Sequence, residues 1–119
     1  MADASIPFRP GSISLRVLVL DDHAGRREAV RDVLELAGCE TREAASLKQA
    51  AETLTAGRVD VVVVVDNPGR QLTAAIRALG CRGRIVAVCE TCAQARACGS
   101  DACLVGQFSA RELTKAVVG

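Results

Sequence analysis

The sequence predicts an open α/β fold, with a parallel sheet covered by helices on both faces. Two observations carry that expectation. The runs Val17-Leu18-Val19-Leu20 and Val61-Val62-Val63-Val64-Val65 are apolar at every position, as strands buried on both faces are. Between such runs stand segments whose apolar residues recur every three or four positions, the pattern of helices with one buried stripe. Strands alternating with amphipathic helices and joined by right-handed crossovers give a doubly wound three-layer sandwich.

Residues 1–14 contain Pro7, Pro10 and Gly11 with no periodicity, and read as a flexible lead-in before a domain over 15–119. The first strand is Arg16–Leu20. A helix follows over Gly25 to Ala37, with Val30, Val33, Leu34 and Ala37 on one face and Gly38 as its cap. A short strand is expected at Cys39–Arg42. Ser46 and Gln49 form a capping box for a helix to Ala56, striped by Leu47, Ala50, Ala51 and Leu54. The valine run is the third strand, its β-branched residues favouring extended backbone. Asn67-Pro68-Gly69 is turn chemistry. Leu72, Ala75, Ile76 and Leu79 stripe the next helix, and Ile85–Val88 is the fourth strand. A short, weakly amphipathic helix is expected over Thr91 to Cys98, then a fifth strand at Ala102–Val105. Ser109 and Glu112 form a capping box that opens a last helix burying Leu113, Ala116 and Val117.

At 119 residues the chain suits one domain with one core. The net charge of +1 makes no electrostatic case for nucleic acid or an anionic membrane. No apolar run approaches the ~18 residues that span a bilayer, and the N-terminus does not read as a signal peptide. The expected location is the cytoplasm, where the six cysteines would be reduced thiols. Cys89, Cys92, Cys98 and Cys103 have a zinc-like spacing. Their places on the expected elements keep them from converging, so they are read as small hydrophobes.

Asp21 and Asp22 follow the first strand directly, and Asp66 follows the third. Strand C-terminal ends share one edge of a parallel sheet, where ligands bind in this architecture. Three converging carboxylates repel unless a cation joins them, and an oxygen-only set suits Mg²⁺. Asp21, Asp22 and Asp66 are thus the candidate metal ligands. The bland reading makes the first two solvated loop carboxylates near a helix N-terminus, and Asp66 a turn residue. His23 reads as a loop residue rather than a ligand.

Taken together, Arg16-Val-Leu-Val-Leu-Asp-Asp-His23, the helix end Leu34-Glu-Leu-Ala-Gly38, the valine run to Asp66 with Pro68-Gly69, Cys98-Gly-Ser-Asp-Ala-Cys-Leu-Val105 and Phe108-Ser-Ala-Arg-Glu-Leu113 resemble a bacterial response-regulator receiver domain over residues 15–118. The resemblance implies a flavodoxin-like (βα)5 sandwich with strand order 2-1-3-4-5. It implies a phosphoryl group taken from a histidine kinase or phosphotransfer protein onto an aspartate, here Asp66, with Mg²⁺ held by Asp66 and the acidic pair. It places the partner-contact face on the expected fourth helix, the fifth strand and the last helix.

Several positions depart from the family pattern. Gly106 stands where receivers carry a phosphate-binding Lys, and Gln107 where Pro is usual. Cys89 replaces the Thr or Ser at the end of the fourth strand, and a thiol is a weak donor. Cys103 replaces the switch aromatic of the fifth strand. Asp66 stands farther from Asp60, and nearer to Pro68, than the pattern sets, and a one-residue shift turns a strand side chain to the opposite face. The expectation is a receiver-like signalling domain with a degenerate phosphorylation site, not an enzyme beyond self-phosphorylation, that acts through contact with a kinase, phosphotransfer or other signalling protein. Two alternatives stand beside it. One is a working Mg²⁺-dependent aspartyl phosphoacceptor. The other is a cyclic-dinucleotide module using Arg26, Arg27, Arg31 and Arg70.

Overall fold

The computed structural model describes residues 15–65, 71–91 and 99–119. Residues 1–14, 66–70 (with the expected Asn67-Pro68-Gly69 turn) and 92–98 (with most of the expected fourth helix) lie outside the described residues. Five strands form one parallel sheet: β1 (Arg16–Leu20), β2 (Glu40–Ala44), β3 (Val61–Val65), β4 (Arg84–Cys89) and β5 (Ala102–Val105), in the order β2-β1-β3-β4-β5. The helices among the described residues are α1 (Ala24–Leu36), α2 (Leu47–Ala56), α3 (Leu72–Ala78) and α4 (Ala110–Val118). This is the expected flavodoxin-like architecture and strand order.

The register explains why the central runs are apolar throughout. Leu18 pairs with Val62 and Val62 with Ile85, and these side chains meet α2 and α3 through Ala50 and Ile76. Val17, Val19, Val61, Val63 and Val86 point the other way, onto Val30 and Leu34 of α1 and Leu113 and Val117 of α4. A strand with helices on both sides needs apolar residues on both. β2 lies at the sheet edge, and its Glu-Thr-Arg-Glu-Ala sequence buries Ala44 alone. It therefore lacks the continuous run that marks the central strands, and it begins and ends later than the sequence suggests, with Cys39 buried just before it.

Two stripe positions are corrected. Ala37 is the exposed C-cap of α1, and Leu79 the exposed C-cap of α3. Each lies beyond the last helical turn, where the stripe has rotated past the sheet. Ser109 and Glu112 close the expected reciprocal box at 3.1 and 2.8 Å, whereas at Ser46 only half of the box forms: Ser46 Oγ accepts from Gln49 N at 3.2 Å, but Gln49 Oε1 accepts from the Ala45 N–H at 2.7 Å, one residue before the cap. Ser109→Ala is expected to cost about 1 kcal/mol, read as a lower urea midpoint at unchanged slope.

At the N-terminal edge of the sheet, carboxylates anchor the strand starts. Asp60 accepts from the backbone N–H of Arg16 at 2.9 Å and from Arg58 Nε at 2.9 Å. Asp101 accepts from the N–H of Ile85 at 2.8 Å and from Arg77 Nη2 at 2.6 Å. The backbone donor in each case, with the arginine beside it, holds these carboxyls below the usual range. The unfolded chain then binds protons more readily than the fold. The stability these groups contribute is present above the ordinary carboxylate pKa of about 4 and lost as the pH falls through their lower folded values. Urea midpoints should hold from neutral pH to about 5 and then decline. Asp101→Asn should show a shallower decline over the same window.

Candidate functional site

β1 delivers Asp21 to the C-terminal edge of the sheet, where its N–H donates to the Ala44 carbonyl at 3.1 Å. The side chain turns inward and is buried, with 1% of its surface exposed. A buried carboxylate needs partners, and α1 supplies them. Arg26 Nε donates to Oδ2 at 2.5 Å and Arg26 Nη2 to Oδ1 at 2.7 Å, a bidentate pair. The His23 N–H also donates to Oδ1, at 2.9 Å. Asp21 holds the Arg26 guanidinium above its ordinary pKa, chiefly through that hydrogen bond. Asp22 is exposed.

His23 has a structural task the sequence did not disclose. It is the N-cap of α1, and its Nδ1 accepts the Arg26 N–H at 3.0 Å. The cap is therefore the imidazole and not the acidic pair. Arg27 joins the pocket by donating Nη1 to the Asp21 carbonyl at 2.8 Å and Nε to Glu43 at 2.9 Å. Arg31 reaches the other Glu43 oxygen at 2.6 Å and also pairs with Asp32. Arg27, then Arg31, holds the Glu43 carboxyl below its usual range. One signal of this network lay in the sequence. Arg26 and Arg27 occupy the first turn of α1, against the helix dipole, a placement that calls for a nearby carboxylate.

Of the expected site residues, Asp66 lies outside the described residues. β3 pairs with β1 up to Leu20 opposite Val64. One further step along that register sets the buried Val65 level with Asp21. β4 ends in the buried Cys89, and Gly106 follows β5 at a positive φ of 70°. The two meet through the Gly106 N–H, which donates to the Cys89 carbonyl at 3.3 Å. Cys103 is exposed on β5, its Sγ 2.8 Å from Ser100 Oγ. Cys92 and Cys98 lie outside the described residues. Among the described residues no three His, Cys, Asp or Glu side chains gather as a metal would need. Of the proposed arginine cluster, Arg26, Arg27 and Arg31 are all paired with carboxylates, and Arg70 lies outside the described residues.

The donor set does not fit a divalent ion as it stands. Mg²⁺ needs oxygen ligands in near-octahedral geometry and gives up its water reluctantly. Both oxygens of Asp21 are hydrogen-bonded to Arg26 and the side chain is buried, so an ion would have to displace that pair.

A family model described as the response regulator receiver domain matches residues 17–118. Solved structures of several receivers superpose on the chain. The chemotaxis protein CheY4 of Vibrio cholerae, crystallised at low pH, is 25% identical, with 89% of this chain and 98% of that one covered at a TM-score of 0.76. The signal receiver domain of the putative response regulator NarL from Mycobacterium tuberculosis is 29% identical, with 88% and 94% covered at 0.70. The response regulator TrrA from Thermotoga maritima, in complex with Mg²⁺ and BeF, is 23% identical, with 87% and 96% covered at 0.73. No curated protein matches the chain. No helix among the described residues is long and apolar enough to cross a membrane.

Proposed function

This chain belongs to the response regulator receiver domain family, and we propose that it is a receiver of two-component signalling with a degenerate phosphorylation site that transmits through protein–protein contact. The observation that carries this reading is the pair of strand ends facing the acid edge: β4 ends in Cys89 and Gly106 follows β5. Transfer of a phosphoryl group is mostly positioning and charge neutralisation. A thiol in place of a hydroxyl weakens the first, and a glycine in place of an ammonium removes part of the second. Receivers meet histidine kinases or phosphotransfer proteins, and a protein of that class, or another cytoplasmic signalling protein, is the partner.

The alternative is a working phosphoacceptor at Asp66. Intact mass after incubation with acetyl phosphate and Mg²⁺ separates the two readings. An unchanged mass is expected, with an ordinary receiver labelled in the same buffer. A single phosphoryl adduct on the natural chain, absent from Asp66→Asn, would establish the alternative and overturn the degenerate site. The cyclic-dinucleotide reading loses support because its described arginines are already engaged by Asp21, Asp32 and Glu43.

A further inference from the structure

We infer that the Arg26 guanidinium is the resident cation of the acid pocket at the end of β1, holding both Asp21 oxygens in place of a divalent metal. The inference stands on the Asp21 geometry and is independent of whether Asp66 accepts a phosphoryl group.

Asp21 receives three donors: Nε and Nη2 of Arg26 and the N–H of His23. An ionised carboxylate offers about four lone-pair sites, and this one is enclosed by protein. A metal could enter its coordination only by displacing a bidentate, charge-assisted pair. Arg26 is also held from its own backbone. Its N–H caps onto His23 Nδ1, and the His23 N–H returns to Asp21. The guanidinium thus closes a short local ring and does not merely lie across the surface. A second guanidinium, Arg27, sits on the Asp21 carbonyl. A divalent ion placed on Asp21 would lie beside two guanidinium charges. The guanidinium stays protonated throughout the ordinary pH range, since Asp21 raises its pKa further.

The test is a MgCl2 titration of the full chain, followed by its thermal midpoint in circular dichroism and by amide NMR shifts, repeated with Arg26→Gln. The natural chain is expected to show no change in midpoint and no saturable shift at the amides of Asp21, Asp22, His23 and Arg26. Arg26→Gln removes the charge and leaves a buried carboxylate uncompensated. It should melt at a lower temperature and regain part of that loss as Mg²⁺ is added, because a ligand that binds the native state alone stabilises it. A saturable Mg²⁺ response of the natural chain at those amides would overturn the inference, as would a folded Arg26→Gln that gains no response. Should Arg26→Gln fail to fold, the NMR titration of the natural chain decides alone. Mg²⁺ binding without a phosphoryl adduct would sink this inference and leave the degenerate-site reading standing. An adduct without a Mg²⁺ shift at Asp21 would do the reverse.

Discussion

Leu34→Ala is expected to destabilise the domain by about 2–5 kcal/mol, whereas Leu36→Ala on the same helix should stay within about 0.5 kcal/mol of the natural chain. Leu34 is fully buried among Val17, Val19, Val30 and Val117 in the α1–α4 layer of the core, while Leu36 is 91% exposed. Truncating Leu34 loses its transfer free energy and leaves a cavity that a close-packed sheet cannot fill by relaxation. At about 4 °C of melting temperature per kcal/mol for a domain of this size, the two variants should separate by roughly 6 °C or more. Thermal melts of both, side by side, check this. Equal melting temperatures would mean that α1 does not pack as described, and would remove the support for Arg26 lying on Asp21.

Gly83→Ala is expected to destabilise by about 1–3 kcal/mol or more, with Gly57→Ala as its near-neutral counterpart. A Cβ built at Gly83 falls 2.5 Å from the Asp60 carbonyl oxygen and 3.1 Å from that of Val59. These are backbone atoms and cannot swing aside. The Asp60 carbonyl also accepts the Arg84 N–H at 3.0 Å, which starts β4 against β3. Any shift that admits a methyl group pulls that pairing apart. Gly57 is extended, with nothing within 4 Å of its would-be Cβ, so alanine there restricts the unfolded chain more than it disturbs the fold. Urea unfolding of the pair measures the difference. A Gly83→Ala variant as stable as the natural chain would show that the β3–β4 start tolerates a gap.

The two valine and leucine runs specify the centre of the sheet because a strand covered on both faces admits no polar residue. Their alternation with segments striped at helical spacing predicts a parallel sheet covered on both faces. The N-cap serines Ser46 and Ser109 are equally legible, since capping acts within one helical turn of sequence, though only Ser109 closes the full box. β2 is less legible because an edge strand with one wet face carries no continuous apolar signature. Ala37 and Leu79 fit the helical stripe but lie beyond it for a related reason: periodicity shows which side a residue faces, and not where the helix stops.

The acid edge divides in the same way. That Asp21 and Asp22 stand at a strand end follows from the sequence, as does the presence of Cys89 and Gly106 at the ends of β4 and β5. That Asp21 is buried, while Asp22 beside it is exposed, follows from the turn into α1, which no local pattern encodes. The identity of the cation on Asp21 was also beyond the sequence. Arg26, Arg27 and Arg31 read as interchangeable surface charges until the helix is seated on the sheet. Its rotation then sends one guanidinium to Asp21 and two to Glu43 on a different strand. Backbone propensity and apolar period act over a few residues and are written along the chain. Charge pairing across elements depends on the angle at which a helix meets the sheet, and packing of the core sets that angle.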